Sequence, residues 1–330
     1  MTPCVPLLRL VTAALFAALF SATAVAKGSV ETARFDSAAF GVAKSFRIYL
    51  PEGYAASAAR YPVIYLVHGW GVTERSWTEA GGLTAAADVM NLQAIVVMPD
   101  GDRGMYVNGR ANVPYETCMA ETPPTRNKSE GRAEFCVRTP NYEDYIVNDL
   151  ITYIDSHYRT VALRAGRAVS GESMGGFGAM NLAFRHRDVF AAVASHSGFV
   201  APLYAGPRPY VKGQAEMLSP QQLIASPNLT EQREILGTEI GNWHAHSPSD
   251  LAERLTNGDL AIYFDCGTED EFGFLELSLY LHDRLTELGI AHEFQTAPGG
   301  HNDGFFSRRI IESLRFHAGH FKRAGVYPRP

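Results

Sequence analysis

Apolar and polar positions along the chain follow two periods. Phe46-Arg47-Ile48-Tyr49-Leu50 alternates and is stopped by Pro51, which predicts a strand. With the segment from about Ala33 it would form an antiparallel edge. Residues 61–67 are a continuous apolar run rich in β-branched side chains, the pattern of a strand covered on both faces. Residues 94–97 repeat that pattern. Shorter runs at 167–170, 191–195, 260–265 and 292–296 predict further strands. Between them, 83–91, 142–157, 275–288 and 306–317 read as helices, and a helical run to Ala183 follows the strand at 167–170. In 142–157, Ile146, Val147, Leu150, Ile151 and Ile154 share one face.

Strands alternating with helices predict an α/β fold: a doubly wound, mostly parallel sheet with helices on both faces. The sequence has no internal repeat and no linker-like break, so residues 27–330 read as one domain. Two stretches stand apart. Residues 103–139 show little periodicity and form a loop insertion of a length usually kept for function. Residues 202–257 are rich in Pro, Gly, Ser and Asn and read as a cap-like insertion over a site.

At 330 residues, 46% hydrophobic and 19% charged, the chain can bury a sizeable core. A net charge of −6 without a long basic run argues against a nucleic-acid surface. The first 26 residues differ from the rest. Arg9 precedes an apolar segment, and Ala24-Val25-Ala26 closes it, as in a secretory signal peptide. The expected location is therefore periplasmic or secreted, with no membrane span after cleavage. Export permits disulfides. Cys118 and Cys136 bracket a polar loop and are expected to pair, which would contribute about 3 kcal/mol through loop closure. Cys266 ends a predicted strand and is expected to pack as a small apolar residue.

The candidate chemistry centres on Gly171-Glu172-Ser173-Met174-Gly175. This G-x-S-x-G sits between a predicted strand and a predicted helix, where a serine is presented on a sharp corner. A serine hydroxyl needs a base, and the base needs a carboxylate to fix its tautomer. Loops at the C-terminal ends of parallel strands converge on one crevice, so acid and base should follow late strands. His301, directly after Gly299-Gly300, is the histidine placed that way. His196 ends the strand beside the nucleophile, and His292 begins one. Asp265, Glu269, Asp270 and Glu271 cluster after one strand; Asp270 is preferred, with Glu269 next. Oxyanion donors are expected from the backbone of Met174, which follows the nucleophile, and of Trp70, after the strand ending at Val67. Trp70, Tyr106, Asn108, Trp243 and Phe305 are candidates to line a cleft. No metal is expected: there is no H-E-x-x-H, and the pairs His244/His246 and His317/His320 lack a third ligand. No phosphate-binding loop or other cofactor motif is evident.

Together these residues resemble the esterase D superfamily, which includes S-formylglutathione hydrolases, feruloyl and acetylxylan esterases, and mycolyltransferases. The resemblance rests on Arg47-Ile48-Tyr49-Leu50-Pro51, His68-Gly69, Pro99-Asp100-Gly101, Tyr142-Glu143-Asp144-Tyr145, the serine turn, Gly267-Thr268-Glu269-Asp270 and His301. It implies an α/β-hydrolase fold, with Ser173, Asp270 and His301 as nucleophile, acid and base. It also implies the amides of Trp70 and Met174 as oxyanion hole, and no cofactor. The activity to expect is a secreted serine carboxylesterase acting on short-chain, aryl or carbohydrate-linked esters. The alternative is an acyltransferase passing the same acyl group to a sugar or other hydroxyl. The export signal sets the chain apart from S-formylglutathione hydrolases, which are normally cytosolic. The insertions at 103–139 and 202–257 match no single subfamily.

Overall fold

A computed structural model describes residues 27–109, 120 and 141–328. Eight strands form one sheet: β1 (Ser29–Ser37), β2 (Val42–Leu50), β3 (Val63–Val67), β4 (Ile95–Pro99), β5 (Arg167–Glu172), β6 (Ala192–His196), β7 (Ala261–Gly267) and β8 (Glu293–Ala297). Their order is β1-β2-β4-β3-β5-β6-β7-β8. β1 pairs antiparallel with β2, and β2 antiparallel with β4. From β4 through β3 to β8 every pairing is parallel. The alternating segment at 46–50 thus does lie in an antiparallel edge pair, as its pattern predicts.

The continuous apolar runs become the central strands, because helices cover both faces there. In β3, Val63, Tyr65 and Val67 pack into one apolar layer and Ile64 and Leu66 into the other. One layer is closed by α1 (Leu83–Val89) and α5 (Asp303–Arg323), the other by α2 (Ile151–His157), α3 (Met174–Arg185) and α4 (Phe274–Glu287). Each fully buried Leu or Phe in these layers contributes about 1.5–3 kcal/mol. α2 continues a π-helical stretch, Tyr145–Leu150, so the predicted helix at 142–157 is present with a wider middle.

The 202–257 stretch folds into short helices, including Pro220–Ala225, Thr230–Leu236 and Ile240–His246. The first begins with a capping box, in which the Ser219 and Gln222 side chains satisfy each other's backbone N–H groups. Most of the 103–139 loop, and with it Cys118 and Cys136, lies outside the described residues, as do residues 1–26. Among the described residues, no helix is long and apolar enough to cross a membrane.

Candidate active site

β5 delivers Ser173 to the C-terminal edge of the sheet, and α3 starts at the next residue. Ser173 itself has φ 53° and ψ −118°, a conformation disfavoured for any residue with a Cβ. The motif glycines make that corner possible. A Cβ on Gly171 would lie 2.4 Å from the Gly175 carbonyl oxygen, and one on Gly175 would lie 2.5 Å from that of Val67. Strand, corner and helix touch through bare backbone.

Three side chains meet here. Ser173 Oγ is 2.8 Å from His301 Nε2, and His301 Nδ1 is 2.8 Å from Asp270 Oδ2. Asp270 comes from the loop between β7 and α4. His301 comes from the loop after β8, one residue before Asn302, whose side chain caps α5 by accepting from the Phe305 N–H. The rings of Phe272, Phe274 and Phe306 stand edge-on to the imidazole at 77°, 87° and 90°, with centroids 4.9–5.2 Å away. That enclosure fixes the ring plane.

Burial works against the Asp270 carboxylate. The hydrogen bond and charge of His301, with amides of Phe274 and Phe272 donating to Oδ1, outweigh it and hold the group below the usual carboxylate range. Asp270 thus stays ionised to orient Nδ1–H. Glu269 makes no such contact; its carboxylate accepts from its neighbour Thr268. Glu271, exposed beside Asp270, accepts the His301 backbone N–H at 2.9 Å and so fixes the loop carrying that histidine.

Trp70 and Met174 line the same cleft as Ser173. Among the described residues, neither backbone N–H has a hydrogen-bond acceptor. Two free N–H groups beside a nucleophile can receive a developing oxyanion. Glu172, the residue before the nucleophile, is buried with its Oε1 3.4 Å from the Gly69 N–H. Burial pushes its carboxyl up to about 7, aided by Asp303; the Gly69 amide and His68 pull the other way.

The cleft encloses about 780 Å³. Trp70 lines it, but four of the expected wall residues do not. Tyr106 is wholly buried beneath the cleft floor; its hydroxyl accepts from the His68 N–H (2.9 Å) and donates to the His68 carbonyl (3.0 Å). Asn108 is turned toward the start of the 142–157 helix, where its Oδ1 accepts from the Asp144 N–H. Trp243 is enclosed within the insertion, its indole N–H donating to the Gly237 carbonyl. Phe305 faces the α1–α5 layer, and its neighbour Phe306, about 100° further round the helix, lines the cleft instead. The aromatic walls are Trp70, Phe199, Tyr204, Phe272, Phe274 and Phe306. Phe272 and Phe274 lie two and four residues after Asp270, a proximity in sequence that marks them as wall candidates.

A second chain of the same three residue types lies in the core. His196 Nδ1 is 2.9 Å from Asp265 Oδ1, and His196 Nε2 is 2.8 Å from Ser313 Oγ. Arg309 and the Tyr263 hydroxyl also bond Asp265. All three members are buried and none lines the cleft. They tie β6 and β7 to α5.

A mostly parallel sheet that presents a serine on a strand-to-helix corner is the α/β-hydrolase architecture. Within that class the chain belongs to the esterase family described as "Putative esterase", which matches residues 37–317. It is 28% identical over 286 residues to Esterase Rv1288 of Mycobacterium tuberculosis (strain H37Rv), covering 81% of this chain and 54% of that protein. It is 23% identical over 239 residues to S-formylglutathione hydrolase of Arabidopsis thaliana, covering 72% and 73% respectively. A solved ferulic acid esterase shares the fold, with TM-score 0.65 at 21% identity, over 89% of this chain and 99% of that one. The chain spans about half the length of the Mycobacterium relative.

Proposed function

We propose that the protein is a serine carboxylesterase. One observation carries the reading: an unbroken hydrogen-bond chain from the Ser173 hydroxyl through His301 to the ionised Asp270, opening on a cleft. Ser173 Oγ attacks the ester carbonyl carbon as His301 Nε2 takes its proton. The carbonyl oxygen becomes an oxyanion received by the N–H groups of Trp70 and Met174. Asp270 keeps the second proton of the imidazolium on Nδ1. The tetrahedral intermediate collapses, the C–O bond to the alcohol breaks, and His301 protonates the leaving oxygen. Water, deprotonated by His301, then attacks the acyl-enzyme and releases the acid.

The walls suit a neutral ester with an aryl or carbohydrate portion. Six aromatic rings offer stacking surface. Glu231, Glu271 and Asp303 outnumber Arg208 among the charged lining groups, which disfavours anionic substrates. The relatives named as ferulic acid esterases act on esters of that kind. The signal-like first 26 residues support action in the periplasm or outside the cell.

The test is direct. A fluorophosphonate probe should label the wild type and not Ser173→Ala, and p-nitrophenyl acetate hydrolysis should vanish in that variant with its circular dichroism unchanged. A folded Ser173→Ala enzyme that still hydrolyses the ester would overturn the reading.

A further inference from the structure

The loop after β3 contains a histidine that the reaction above does not use. His68 is wholly buried and does not line the cleft. Its Nδ1 is 2.8 Å from the Gly69 carbonyl oxygen. Its Nε2 accepts the Gly101 N–H at 2.9 Å, and Asp100 Oδ1 lies 3.5 Å from the same nitrogen. A nitrogen that accepts carries no hydrogen, so the hydrogen is on Nδ1 and is donated to Gly69. An imidazolium paired with Asp100 would carry that hydrogen too, so the bond does not depend on the charge state of the ring.

The acceptor matters because of what shares its peptide plane. The Gly69 C=O and the Trp70 N–H belong to one peptide unit, and in a trans peptide they point in opposite directions. Anchoring the carbonyl on the His68 ring therefore turns the Trp70 N–H away from the core, toward the cleft that Gly69 and Trp70 line. Tyr106 holds the preceding peptides from below, one hydroxyl serving both the N–H and the C=O of His68. The Tyr106 ring fits there because Gly101 and Gly178 leave room: a Cβ on either would come within 2.2 and 2.4 Å of it.

We propose that His68 is a positioning residue for the oxyanion hole: its bond to the Gly69 carbonyl, braced by Tyr106, aims the Trp70 N–H at the attacked carbonyl oxygen. The proposal rests on the esterase reading. Its effect falls on the transition state rather than on substrate binding, because the negative charge develops on the oxygen only as the tetrahedral intermediate forms.

The experiment compares wild type, His68→Ala, His68→Asn and Tyr106→Phe on a p-nitrophenyl ester and on the matching thionoester. Sulfur is a poor hydrogen-bond acceptor, so a working oxyanion hole gives a large rate preference for the oxygen ester. His68→Ala should lower kcat about 10- to 100-fold with KM nearly unchanged, and should shrink the oxygen-to-sulfur preference. His68→Asn, whose amide N–H replaces Nδ1–H, should recover most of both. Tyr106→Phe keeps the ring and loses the hydroxyl, so it should lower kcat with a smaller shrinkage, and it keeps the test alive if His68→Ala does not fold. An unchanged preference in folded His68→Ala, or in folded Tyr106→Phe where His68→Ala does not fold, overturns the proposal. An inactive wild type overturns the esterase reading instead.

Discussion

The molecule holds two serine–histidine–aspartate chains whose bond lengths are nearly the same. Ser173–His301–Asp270 has 2.8 and 2.8 Å; Ser313–His196–Asp265 has 2.8 and 2.9 Å. Distance therefore does not separate a nucleophile from a strut. Ser313 lies mid-helix, is buried, and also donates to the Ile310 carbonyl. No carbonyl carbon can reach it. Asp265 is shared among His196, Arg309 and Tyr263, as befits a group that cross-links elements. Ser173 stands on a corner and opens on a cleft that Trp70 and Met174 also line. Access to the cleft, not bond length, is what distinguishes the two serines.

The largest effect that could break this contrast is at Ser173. Ser173→Ala should lower kcat by on the order of 10⁵, measured with p-nitrophenyl esters, while Ser313→Ala leaves kcat within about twofold. Asp270→Asn should cost about 10³–10⁴ in kcat, since an amide no longer enforces the Nδ1–H tautomer. The core chain should answer in stability. Ser313→Ala leaves buried His196 Nε2 without its partner and should cost about 1–3 kcal/mol in urea unfolding.

The smallest effect concerns Glu172. Its carboxyl is raised from 4.5 to about 7 in the folded protein, so the folded state holds the proton more tightly than the unfolded one. Stability should therefore be greatest below about pH 4.5 on this account, and be lost as pH rises through about 7. Glu172→Gln should remove that dependence, read as a flatter thermal midpoint between those pH values.

The sheet and the three side chains of the Ser173–His301–Asp270 chain were legible in the sequence because their signals are local. Two-sided burial writes continuous apolar runs, and close packing at the corner demands Gly171 and Gly175. His301 stood out because few histidines follow a late strand. The cleft walls were not legible. Whether Phe305 or Phe306 faces the cleft depends on one helical step, and Trp243 turned inward because the insertion's apolar side chains join the main core. Tyr106 could be placed only once the space at Gly101 and Gly178 was known.

The backbone at Ser173 has a practical corollary for choosing a dead enzyme. Its φ of 53° penalises any side chain by on the order of 1–3 kcal/mol, and alanine inherits the penalty whereas glycine escapes it. A glycine replacement would silence the hydroxyl and relax the corner together, confounding two effects. Alanine is the matched control, because it subtracts one oxygen and leaves the tension in place.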